Sequence, residues 1–111
     1  MKRIMMAVLV ACTMFIAQRA QAAIFNCNPV NVTSWGERVH VQCSPGAGAI
    51  LCFAVNTTNP GATQRFTDIA LAAVVHNKTL AIQYDPADKS GPTFGCAVAN
   101  CRPARAIVIN K

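Results

Sequence analysis

Acidic residues are scarce in this chain of 111 residues: four Asp/Glu stand against ten Lys/Arg, for a formal charge of +6. Histidine is scarcer still, with two, and tryptophan and tyrosine occur once each. So small a titratable inventory leaves little for acid–base or nucleophilic catalysis, and no nucleophile lies beside a base. No glycine loop for cradling phosphate is present. His40 and His76 have no partner at ligand spacing, and Asp85 and Asp88 lack the further oxygen ligands of a calcium loop. Asp85-Pro86 and Ser90-Gly91 are ordinary turn chemistry. The expectation is a protein that is not an enzyme, with no catalytic residue, no metal and no cofactor. The cations are scattered rather than arrayed as a basic stripe among aromatics, so no nucleic-acid partner is expected.

The first 22 residues have the three parts of a secretory signal peptide. Lys2 and Arg3 form a positive start, Ile4 to Ala17 is almost wholly apolar, and Ala20-Gln21-Ala22 supplies the small residues of a cleavage site. Gln18, Arg19 and Gln21 close the apolar run short of the roughly 20 residues a bilayer requires, which predicts no membrane span in the mature chain. Leu9-Val10-Ala11-Cys12 also reads like a bacterial lipobox, but would strand apolar Met14-Phe15-Ile16 beyond it. Part of the positive charge belongs to this leader. Residues 23–111 then form a single domain, with a secreted or periplasmic location expected.

Periodicity divides that domain into strands and one helix. Val30-Asn31-Val32 and Val39-His40-Val41 alternate around Trp35-Gly36, which predicts a hairpin. Ser44 to Gly48 is a turn, and Ile50 to Val55 reads as a buried strand. Asn56 to Gly61 breaks the pattern. Phe66, Ile69, Ala70, Ala73 and Val74 then share one helical face, with Thr63 as N-cap and Asn77 as stop. Leu80, Ile82 and Tyr84 alternate as a fourth strand, and Ala104 to Ile109 is the fifth. The fold class expected is α+β, mainly β: a small five-stranded Greek-key barrel of OB type, with one helix between strands 3 and 4.

Five cysteines remain after the leader, and an exported domain of this size gains stability from covalent bridges. Cys96 and Cys101 enclose a tight loop suited to a local clip. Cys43 and Cys52 flank the turn between strands two and three, which makes them the favoured hairpin staple. The competing pair is Cys27–Cys43. Aligning Val32 with Val39 and Val30 with Val41 leaves Cys27 opposite Ser44, so this second pairing needs a bulge. On the favoured reading Cys27 is unpaired, a free thiol or an intermolecular bridge.

Cys52-Phe53-Ala54-Val55, the polar loop, the helix, the Leu80/Ile82 strand and the terminal Cys-x4-Cys resemble the B subunits of pertussis-like AB5 toxins, such as the subtilase cytotoxin B subunit and the pertussis toxin small subunits. The resemblance covers residues 43–101. It implies an OB-type barrel, a disulfide before the helix and another near the C-terminus, helices lining the pore of a pentamer, a toxin A subunit as partner and host glycans as ligand. The chain differs in carrying a strand after its last cysteine. The segment from Tyr84 to Gly91, with Gly95-Cys96 and Cys101-Arg102, also looks like small secreted bacterial proteins that carry no assigned activity.

The expected function is therefore an exported, non-catalytic binding module for a glycan or protein ligand. The alternative is an envelope structural or inhibitor protein acting through protein–protein contacts. Trp35, the only Trp, and Asn56, Thr57, Thr58 and Asn59 are the candidate rim residues for a ligand, with Trp35 alternatively a hairpin residue packed on its own sheet. Leu71 and Val75 lie on the helix beyond its main apolar stripe and are the candidate oligomer contacts.

Overall fold

The computed structural model describes residues 22–110. The expected signal peptide, apart from its last residue Ala22, and the lipobox-like Cys12 lie outside them. The order is β1 (Ala23–Cys27), β2 (Pro29–Ser34), β3 (Arg38–Ala47), β4 (Ile50–Asn56), α1 (Pro60–Val75), β5 (Thr79–Tyr84), a 3-10 turn (Gly91–Phe94) and β6 (Cys101–Asn110). The domain is mostly β, with one long helix and a mixed six-stranded sheet in the order β1-β5-β6-β4-β3-β2. All neighbours are antiparallel except β4 and β6, which pair in parallel.

The strand count corrects the expected five. β1 alternates like any half-buried strand, with Cys27 buried, Phe25 half-buried, and Ile24 and Asn26 outward, and it pairs along its whole length with β5. Its sequence abuts the expected leader, and that hides it. β6 also starts at Cys101 rather than Ala104. The helix starts earlier than expected, because Asn59 rather than Thr63 is the N-cap: its Oδ1 accepts from the Ala62 N–H at 3.1 Å. Pro60 follows at the first helical position, where its missing N–H has no consequence. Asn77 follows the last turn with φ of 53°, a conformation asparagine tolerates.

Inside the curl of the sheet, Val39, Val41, Phe53, Leu80, Ile82 and Tyr84 meet Phe66, Ala70 and Ala73 of α1. Phe53 is the centre. Its ring stacks on Phe25 with centroids 5.8 Å apart and meets Tyr84 edge-on at 4.9 Å, so β1, β4 and β5 touch across the interior. α1 packs mainly on β2, with further contact to β6. A second, smaller cluster lies on the opposite face of β4. Because Phe53 points inward, Cys52 and Ala54 point outward, where Cys96, Cys101 and Phe94 cover them.

The disulfides correct the favoured pairing. Cys27 bonds Cys43, Cys96 bonds Cys101, and Cys52 is free and half-buried. Cys43 shares the inward face of β3 with Val39 and Val41, whereas Cys52 faces outward on β4, so a Cys43–Cys52 staple is geometrically closed. The hairpin register explains the rest. Val32 pairs with Val41, not Val39, and an irregularity between Pro29 and Asn31 sets Pro29 opposite Cys43. That bulge at Val30 brings Cys27 to Cys43, with Cα atoms 5.3 Å apart. Cys27 is thus neither free nor available for an intermolecular bridge.

Candidate functional site

Two of the five candidate rim residues are brought together. Trp35 sits in the three-residue turn between β2 and β3, about half exposed, and its N–H donates to the Arg38 carbonyl at 2.7 Å. The Arg38 guanidinium lies over its ring, 5.1 Å from the centroid, which holds the indole by a cation–π contact. Thr57 reaches this turn from the other side. Its N–H donates to the Glu37 carbonyl at 3.1 Å and its Oγ1 to the Gly36 carbonyl at 3.2 Å. The Trp35 turn and the loop after β4 therefore move as one unit.

Asn56, Thr58 and Asn59 shape that loop. Asn56 Oδ1 accepts from Thr58 N–H and Oγ1, at 3.4 and 2.6 Å, while Asn59 Oδ1 holds the helix cap. Their amide oxygens are engaged locally. What Asn56 and Asn59 can still offer a ligand is their amide nitrogens.

Both asparagines also line a cleft of about 580 Å³ between α1, β4 and β6. Its floor is apolar, with Phe66, Ile69 and Phe94, and its rim carries the Arg65 and Arg105 guanidinium groups. A pocket of this size with an apolar floor and a few convergent polar groups has the general form of a small-ligand site. The cleft exists because β4 and β6 part company. Their parallel pairing runs only from Cys52–Cys101 to Ala54–Pro103. Beyond it β4 ends at Asn56 while β6 runs on beside β5, and the first half of α1 spans the gap.

Sequence reasoning missed Arg65, Phe94 and Arg105. Arg65 falls opposite the main apolar face of the helix, and the cleft depends on how that helix docks.

Arg105 at the cleft, and Asp85 and Asp88 near it, have structural partners. Arg105 Nη2 lies 3.5 Å from Asp85 Oδ2, the one ion pair among the described residues. Asp85 Oδ1 also accepts from the Ala87 N–H at 2.9 Å. Asp88 Oδ1 takes the Ser90 hydroxyl at 2.6 Å and its N–H at 3.0 Å, and these bonds hold its carboxyl below the usual range. Both aspartates thus close their own turns.

Comparison with protein-family models, curated proteins and solved structures found no match to this chain. The site therefore stands on its own geometry.

Leu71 and Val75 lie on the exposed side of α1, 51% and 69% accessible. Neither touches the cleft. The disulfides already described lie on either side of the sheet, Cys27–Cys43 within the core and Cys96–Cys101 in the outer cluster. No helix of the described residues is long and apolar enough to cross a membrane, and they contain no group of three or more His, Cys, Asp or Glu placed to hold a metal ion.

Proposed function

We propose that this protein is an exported, non-catalytic binding module of OB type, similar to the B subunits of pertussis-like AB5 toxins, and that it takes a glycan ligand at the end of the sheet marked by Trp35. One observation carries the reading: an exposed indole, fixed by Arg38, is hydrogen-bonded through its turn to the loop that forms the mouth of an apolar-floored cleft. Sugars present apolar C–H faces and many hydroxyls, and a rigid aromatic beside free amide donors matches that chemistry.

Support for the OB-type barrel comes from the strand order. If β1 and β2 are taken as one strand bent at Asn28, the sheet runs 1-4-5-3-2-1 and its two ends belong to the same strand. The helix between the third and fourth strands of that count fits the same plan. Leu71 and Val75, exposed and four residues apart, suit a helix contact between copies, as a pentamer with a toxin A subunit would use. The alternative, an envelope structural or inhibitor protein acting through protein contacts, draws on the same exposed apolar residues. Light scattering on the mature chain separates these assemblies: a strict monomer at high concentration overturns the pentamer.

Glycan-array binding by the mature protein tests the ligand. Binding that falls at least about tenfold in Trp35→Ala, with the fold intact, supports the reading. Absence of any glycan binding, or binding unchanged in Trp35→Ala, overturns it.

A further inference from the structure

The outer face of the β3-β4-β6 part of the sheet gathers three sulfur atoms. Cys52 on β4 is the direct register partner of Cys101 on β6, and Cys101 is bonded to Cys96. Partners in a parallel ladder direct their side chains to the same face, and neighbouring strands run about 4.8 Å apart. That separation lies within the Cα range of about 4.4–6.8 Å in which a disulfide forms without backbone movement. Cys52 packs directly against the Cys96–Cys101–Ala54 cluster. A free thiol thus faces a disulfide across one strand spacing.

We propose that Cys52, Cys101 and Cys96 form a thiol–disulfide exchange site, in which the bridge passes from Cys96–Cys101 to Cys52–Cys101. The Cys52 thiol gives its proton to solvent, and the thiolate attacks Cys101 Sγ. The Cys101–Cys96 bond breaks, its electron pair stays on Cys96 Sγ, and that sulfur takes up a proton. One thiol and one disulfide are present before and after, so no external oxidant or reductant is required. The surroundings oppose each other at Cys52. Burial disfavours its thiolate, while the Arg38 guanidinium on the adjoining strand favours it. His40 lies on the same outward face of β3, beside Arg38 and opposite Ala54.

The exchange has a structural consequence. The Cys96–Cys101 bond closes residues 97–100 and anchors, at Cys96, the end of the preceding loop, whose Ser90 and Phe94 line the cleft. Moving the bridge frees that loop at Cys96 and fastens β4 to β6 instead. The cleft wall is then held at one end only. The site stands whether or not the cleft takes a glycan.

Peptide mapping of the wild-type protein tests the proposal. The protein is held at mildly alkaline pH, quenched in acid, unfolded, alkylated and digested with trypsin. Peptide 90–105 (Arg102 precedes proline and resists trypsin) contains both Cys96 and Cys101, and peptide 39–65 contains Cys52. Exchange joins 90–105 to 39–65 and shifts the alkyl label from Cys52 to Cys96. Cys96→Ser supplies a second measurement, in which Cys52 and Cys101 are expected to form a bridge when glutathione disulfide is added as the two-electron oxidant, while Cys27–Cys43 stays intact. A label on Cys52 alone in the wild type, with 90–105 never joined to 39–65, overturns the proposal.

Discussion

Cys27 and Cys43 are bonded although their strands are not hydrogen-bonded neighbours: β1 and β3 stand at separate places in the sheet order. The bond therefore fixes the curl of the sheet rather than a hairpin, and it lies inside the core against Phe53 and its neighbours. Replacing both cysteines by alanine is expected to lower stability by about 3 kcal/mol, the value for a closed loop of this length. Chemical denaturation of the double variant checks it. A loss under about 1 kcal/mol would mean that the packing holds the curl without the bond.

Asn59 carries the start of α1 through a single side-chain bond to the Ala62 N–H. Asn59→Ala is expected to cost about 1 kcal/mol. Because the same residue borders the cleft, Asn59→Asp is the informative companion. It keeps the cap and reverses the hydrogen-bonding character at the cleft mouth, so it should restore the melting temperature but not ligand binding.

His40 gives the protein a pH dependence of known sign. Its folded pKa lies below the ordinary value of 6.5, first because burial disfavours the imidazolium and second because Arg38 is nearby. The unfolded chain therefore binds this proton more readily than the folded one. The contribution of His40 is complete above pH 6.5 and is lost as the pH falls through the lower, folded value. Denaturation midpoints should thus decline from neutral toward mildly acidic pH, and His40→Gln should flatten that slope.

Gly91 is required by proximity. A Cβ there would lie 2.6 Å from the Cys96 carbonyl oxygen and 2.8 Å from Cys96 Cβ. Gly91→Ala is expected to lower stability by about 1–3 kcal/mol, since the loop must shift to admit the methyl group. The same variant should raise the rate at which Cys96 is alkylated under mild reduction, because the shift loosens the Cys96 clip.

Much of this fold can be read in the order of residues, and the exceptions are physically instructive. The alternation in Leu80-Ala81-Ile82-Gln83-Tyr84 and the helical spacing of Phe66, Ala70 and Ala73 mark buried faces that the structure keeps. Ile50 to Val55 is different. It is apolar at nearly every position, so its parity is hidden, and with it the fact that Cys52 faces away from Phe53. The cysteine pairing turned on that parity and on one bulged residue, Val30. Of the site, Trp35 and Thr57 were legible because turns advertise themselves locally. Arg65 and Arg105 were not, since helix docking and a gap in the sheet bring them to one cleft.

The short parallel seam between β4 and β6 has a further consequence, for the order in which the molecule assembles. β2, β3 and β4 follow one another through tight turns, and β5 lies beside its neighbours without long-range help from β4. The seam joins segments about 50 residues apart through only three register pairs. Contacts so distant in sequence and so few in number form late and separate early. Amide hydrogens on Cys52 and Ala54, which face β6, should accordingly exchange with solvent well before those of the β3–β4 ladder, which makes this seam the line along which the native state breathes.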